Sequence, residues 1–263
     1  MFDHFLDIIV LIFFGYAITY PILLSLAPLK SIDIGFYRFN LGLSIIIGSL
    51  GVAAFYFSSD ESFIKIMNII WLSLLIVFTA MKWNAEKISN RIINLISFFG
   101  IISISFILNE FFPELNIGIV FLSVLIGSFI TSAVFYSMIL GHWYLNVIEL
   151  PIKFLRNATF CLTAALIVRI IWDIYFISTN TITDAYGLNY SLWYFLIQFD
   201  GFLLMIAIVI GTLFPLIINF FAFKTIKLQA TQSATGLLYV SIVSILFGDM
   251  IFKFYLFQYG LTL

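Results

Sequence analysis

From Phe5 onward, apolar runs of about 20 residues follow one another along the whole chain, separated by short breaks of charged residues, Pro, Asn and Gly. A helix needs runs of that length to cross a hydrocarbon core of about 30 Å. Dividing the runs at those breaks predicts eight transmembrane helices, near 5–26, 39–57, 63–81, 92–109, 117–140, 159–177, 196–222 and 234–257. Most hairpins are short. The longest connections are Gly141 to Ala158 and Ser178 to Tyr194.

Composition agrees with the pattern. The 263 residues are 63% hydrophobic and 10% charged, with a mean hydropathy of +1.16, whereas soluble domains carry roughly 25% charged residues. The expected class is an all-α integral membrane protein, a polytopic bundle forming one transmembrane domain over residues 1–263 with no soluble domain. The net charge of −1 is no starting point for an argument for nucleic acid. The single cysteine, Cys161, is read as packing filler. Asp3 and Asp7 stand where a secretory signal carries basic residues, so the first run is read as a retained helix despite the small-x-small pattern at Ser25 to Ala27.

The basic residues sort by side. Lys30, Arg38, Lys82, Lys87, Arg91, Lys153, Arg156, Lys224 and Lys227 fall in the connections after the first, third, fifth and seventh helices. Asp3, Asp7, Asp60, Glu61, Glu110, Glu114 and Asp184 fall on the other face, against only Lys65 and, near the last helix end, Lys253. The positive-inside bias makes the basic loops cytoplasmic and puts both termini on the non-cytoplasmic side; the expected location is a bacterial inner membrane. Trp83, Trp143 and Tyr144 mark the inner interface, and Trp193, Tyr194, Tyr255 and Tyr259 the outer one.

Helix packing in lipid depends on close backbone approach, and small residues provide it. Ser44 and Gly48 in the second helix, and Ser123, Gly127 and Thr131 in the fifth, recur every four residues on one face. Both helices also carry an Ile-Gly-Ser after an Asn-x-Gly, at Asn40 to Gly42 and Asn116 to Gly118. An inverted repeat would look like this, but composition bias is the preferred reading. Pro21 and Pro215 lie inside the first and seventh helices, where each removes a backbone donor and favours a kink.

Charges inside the apolar runs are the main chemical feature. Arg169 and Asp173 in the sixth helix, and Asp249 and Lys253 in the eighth, are spaced i, i+4, which puts each pair on one helix face within ion-pair reach. An unpaired charge at mid-membrane costs about 2.5–3.5 kcal/mol on insertion scales. At about 1.5 Å per residue, Arg169 lies near mid-membrane, Asp173 and Asp249 in the outer half, and Lys253 and Asp200 toward the outer surface. Two readings stand open. The pairs fix helix packing while Lys253 and Asp200 snorkel, or all five groups converge on one wet pocket as an ion or proton path.

The cytoplasmic side offers a second candidate. His142, Trp143, Tyr144, Glu149, Lys153 and Arg156 follow the fifth helix, and Lys227, Gln229 and Gln232 precede the eighth. They suit an anionic head group or a quinone, and equally an ordinary interfacial belt. Bis-histidine haem within this chain is excluded, because His4 and His142 belong to opposite faces; too few His and Cys remain for a metal site. No Gly-x-Ser-x-Gly elbow, HExxH motif or P-loop occurs.

Three functions follow, and the leading expectation includes no catalytic activity of the chain's own. The first is a small secondary transporter or ion-translocating subunit using the intramembrane charges. The second is a membrane subunit of a quinone-interacting redox complex with its site at His142. The third is a lipid-handling enzyme or scaffold. The expected partners are the lipid bilayer and either other membrane subunits or further copies of the chain.

Overall fold

Eight helices long and apolar enough to cross a membrane appear in the computed structural model, which describes residues 4–29, 31–85, 88–147, 150–183 and 187–263. They run Phe5–Leu26, Ile34–Ser58, Ser62–Met81, Asn90–Phe111, Ile117–Asn146, Lys153–Thr179, Phe199–Lys227 and Thr231–Tyr259, called here the first to eighth spans. The structure is 83% helical, and the chain is a multi-pass membrane bundle. Asp3, Lys30, Lys87, Glu149 and Asp184 lie outside the described residues.

Every expected span is present, but several extend further than the apolar runs do. The second starts five residues earlier than its run, the sixth starts six earlier, and the fifth ends six later. The added turns carry polar groups that apolar-run reading discards. Asp33 caps the second span by accepting the Gly35 amide at 2.6 Å, and Asn116 caps the fifth by accepting the Gly118 amide at 3.1 Å. Arg38, Arg91, Lys153, Arg156, Lys224 and Lys227 therefore stand on helix ends rather than in loops. The two Asn-x-Gly sequences also differ in role, since Asn116 is a cap whereas Asn40 is fully buried inside a helix, where it accepts the Tyr20 hydroxyl.

Both prolines alter their helices. The first span tightens to a 3₁₀ turn over Tyr20–Leu26 around Pro21, while the seventh widens to a π turn over Val209–Leu213 just before Pro215. Pro215 has no amide to give the Gly211 carbonyl four residues back, so the regular ladder is interrupted there.

The first span is the most buried, with the fifth and eighth next. The fifth packs against the first, sixth and eighth, and the seventh packs against the sixth and eighth. The small-residue faces expected in the second and fifth spans are buried: Gly48 meets Ala17 and Trp71, and Gly127 meets the eighth span.

The connection from the sixth to the seventh span, one of the two longest, carries a hairpin and a short helix. Strand β1, Thr181–Thr183, pairs antiparallel with β2, Asn189–Ser191, and helix Leu192–Ile197 follows. The chain then turns at Gln198 into the seventh span, so tightly that a side chain at Gly201 would collide with the Phe195 carbonyl. A satellite core of Phe176, Leu192, Leu204, Phe252, Tyr255 and Leu261 closes this end of the bundle. Tyr255, expected in the interfacial belt, is buried in that core at 2% exposure. Trp193 and Tyr194 beside it are exposed, as a belt requires.

Candidate functional site

Arg169 and Asp173 lie on the inward face of the sixth span and are 2% exposed each, although Val168, Ile171 and Ile174 around them face outward. Arg169 Nε stands 2.9 Å from Asp173 Oδ1. The contact is an ion pair rather than an aligned hydrogen bond: neither carboxylate oxygen of Asp173, nor Nε or Nη2 of Arg169, has a hydrogen-bond partner of good geometry. On the eighth span Lys253 Nζ donates to Asp249 Oδ1 at 2.5 Å, and Asp249 Oδ2 is buried without a partner.

Phe252 joins the two pairs. The Arg169 guanidinium carbon lies 3.8 Å from the centroid of its ring, within the range of a cation–π contact. Arg169 and Asp249 also line one cavity of about 10 Å³, together with Gly127, Gly211 and Thr212. The sequence of charges from the sixth span to the eighth is thus minus, plus, minus, plus. It is electrically neutral as a whole, and every member is buried.

Glycines make the row possible. A Cβ on Gly127 would stand 2.5 Å from Asp249 Oδ1 and 3.6 Å from Lys253 Nζ, so any side chain there would occupy the space of the carboxylate. A Cβ on Gly211 would stand 2.5 Å from the Gly248 Cα, so the seventh and eighth spans meet backbone to backbone one residue from Asp249. Gly211 and Thr212 belong to the π turn, and the Ser244 hydroxyl donates to the Ile210 carbonyl within it. The widened turn therefore forms one wall of the charged cavity.

Two expectations are corrected by this geometry. Lys253 does not snorkel: it is 3% exposed and turns back onto Asp249, because Gly127 leaves room for both heads. Asp200 does not join the row. It is exposed at the start of the seventh span, where its backbone carbonyl accepts the Tyr255 hydroxyl, and it lines a different cavity. A single wet pocket holding all five groups is therefore absent among the described residues. A cavity of about 10 Å³ is at the lower limit for one water. The sequence marks Gly127 as a packing residue only, and Thr212 and Phe252, which share this site, escape it; the visible signals are Pro215 and the small-residue stripe.

Residues 260–263 close the row at the satellite-core end. The Trp172 indole donates to the Thr262 carbonyl at 2.7 Å, and the Ser123 hydroxyl donates to the Leu263 carbonyl at 2.8 Å. These bonds tie the segment to the sixth and fifth spans, next to Asp173 and one turn from Gly127. On its other side Asp173 borders an apolar groove of about 360 Å³ lined by Ile174, Trp193 and Leu213.

The basic face is built differently. His142 is exposed at the end of the fifth span. Trp143 packs edge-on against Phe36 with ring centroids 5.4 Å apart, and the Tyr144 hydroxyl donates to the Pro151 carbonyl, fastening the turn to the sixth span. Lys153 lies over Phe154, Lys227 over Phe223, and Arg156, Gln229 and Gln232 are exposed. No hydrogen bond or ion pair joins these side chains to one another among the described residues. His4 and His142 occupy opposite ends of the bundle. No group of three His, Cys, Asp or Glu side chains suited to a metal ion occurs among the described residues.

Comparison with protein-family models, with curated proteins and with solved structures finds no match.

Proposed function

We propose that the protein is a small secondary transporter, or an ion- or proton-translocating subunit, in which the charges of the sixth and eighth spans form the exchange site. The observation that carries this reading is Asp249: a buried carboxylate with one oxygen on Lys253, the other unpartnered, and a π turn of the neighbouring helix beside it. Interrupted helices near the middle of the bilayer are where transporters bind ions, because the freed backbone groups face a cavity rather than lipid. Gly211 and Thr212 lie within two residues of the centre of the seventh span, which supplies the midplane element that the sequence did not display.

The neutral row suggests how coupling works. A proton or cation arriving at Asp249 leaves Lys253 without its counter-charge in a low-dielectric interior, and an uncompensated buried charge is strongly unfavourable. Lys253 must then move, or a companion anion must enter. Arg169 borders the same cavity and is the second cation available to Asp249 when Lys253 departs. The present arrangement, with both acids paired and space for at most one water in the cavity beside Asp249, is the occluded member of such a cycle. In this reading the basic face is cytoplasmic.

The test is flux. Proteoliposomes loaded with a dye selective for the ion tested are expected to dissipate an imposed proton, sodium or potassium gradient faster than empty vesicles. Asp249→Asn, which keeps the shape of the side chain, is expected to abolish the difference. Wild-type vesicles indistinguishable from empty ones under all three gradients would overturn the proposal. No feature around His142 favours the quinone reading over this one, because Trp143 and Tyr144 are engaged in packing and loop closure.

A further inference from the structure

Asp200 stands apart from the charge row, and its own surroundings point to a ligand. The hairpin, the short helix and the first turns of the seventh span meet the end of the eighth span around a cavity of about 390 Å³, within the size range of small-molecule sites of about 300–1,000 Å³. Its walls include three tyrosines, Tyr190, Tyr194 and Tyr259, with Asp200, Gln198 and Thr183 as further polar members. The rings are fixed rather than loose. Tyr190 and Tyr194 have centroids 5.6 Å apart, Tyr259 stacks on Tyr255 at 5.4 Å and meets Phe195 edge-on at 5.3 Å. The Tyr255 hydroxyl bonded to the Asp200 carbonyl locks the eighth span against the acid's own turn.

The electrostatics select a cation. Among the described residues Asp200 has no ion-pair partner, and Lys253, the basic residue nearest to it along the eighth span, is committed to Asp249. Aromatic faces carry partial negative charge and attract ammonium groups, most strongly methylated ones that shed water easily. An acid in the first turn of a helix also complements the helix dipole, which accounts for Asp200 at that place in the chain. It does not account for three tyrosines lining the same cavity.

We infer that this cavity is a recognition site for an alkylated ammonium group, held by the faces of Tyr190, Tyr194 and Tyr259 and by the Asp200 carboxylate. The group belongs either to a free solute or to the head of a zwitterionic lipid, since the cavity lies at the end of the bundle where lipid heads reside. The site is separate from the buried charge row and does not rest on the transport reading.

Binding to the full chain in nanodiscs of phosphatidylglycerol, measured by calorimetry, tests it. Tetramethylammonium and choline are expected to bind, and 3,3-dimethylbutan-1-ol, the uncharged isostere of choline, at least tenfold more weakly. Asp200→Asn is expected to weaken choline about tenfold and Tyr194→Leu about fivefold, while Tyr194→Phe, which retains the ring, keeps most of the affinity; unchanged thermal unfolding verifies that each variant is folded. Discs of phosphatidylcholine separate the two sources, because a lipid head seated in the cavity weakens tetramethylammonium by competition and a site for free solutes does not. Equal binding of the uncharged isostere, no binding of either cation to folded wild-type protein, or indifference to both Asp200→Asn and Tyr194→Leu would overturn the assignment.

Discussion

Between the first, second and fifth spans the buried polar groups are hydroxyls and an amide, whereas between the fifth, sixth and eighth full charges join the hydroxyls. Thr19 donates to the Gly15 carbonyl and lies 2.7 Å from the Ser132 hydroxyl, Tyr20 donates to Asn40, and Tyr37 bonds the carbonyls of Leu24 and Ala27. These groups find partners in one another and in backbone that every helix supplies, so each can be lost or gained at small cost. Arg169, Asp173, Asp249 and Lys253 have only one another, a ring face and a few small residues. The neutral seam is built to hold helices together. The charged row is held together only while its members stay matched, which is why the proposed exchange site is placed there.

The contrast is open to direct test. The largest stability effect is expected from removing one partner of a buried pair. Asp173→Leu should destabilise the protein by about 3–5 kcal/mol in a denaturant titration in mixed micelles, because Arg169 is then buried without its ion-pair partner. The double variant Arg169→Met with Asp173→Leu should recover most of that loss, since an apolar pair needs no counter-charge. A double variant as unstable as the single one would show that the pair is not what sets the cost.

Gly127→Val comes next. Its side chain would occupy the position of the Asp249 carboxylate, and overpacking of this kind costs about 1–3 kcal/mol. The same substitution should impair flux even where the protein still folds, which separates the charged row from a merely structural seam. In the neutral seam Thr19→Val should cost about 0.6–1.7 kcal/mol, the range of interhelical hydrogen bonds in membranes. It should also leave flux unchanged. The smallest effect belongs to the exposed basic face, where His142→Ala should change stability by no more than about 0.5 kcal/mol. A loss of flux or of a bound quinone on that change would move the functional centre to the opposite end of the molecule.

Much of the architecture could be read from residue order, because span number follows from run length alone. The i, i+4 pairs were legible for the same reason: helical periodicity places Arg169 over Asp173 and Asp249 over Lys253 whatever surrounds them. Helix ends were less legible, since Asp33 and the turn at Lys153 are polar residues within helices that outrun the hydrocarbon. The wet-pocket reading joins Asp200 to the row because depth along a helix says nothing about which way the helix faces, and Asp200 lines the hairpin cavity instead, at the surface where the snorkelling reading puts it.

The sequence by itself determined that this chain crosses a membrane eight times, with two self-neutralising charge pairs and a basic and an acidic face. Burial of apolar length and local helical spacing decide these, and both are properties of consecutive residues. Only the tertiary structure decided that the two pairs form one row through Phe252, that Gly127 and the π turn before Pro215 wall it, and that Asp200 belongs to a separate cavity of tyrosines. Those relations join residues far apart in the chain, and they depend on helix rotation and close backbone approach, which are set by packing of the whole bundle.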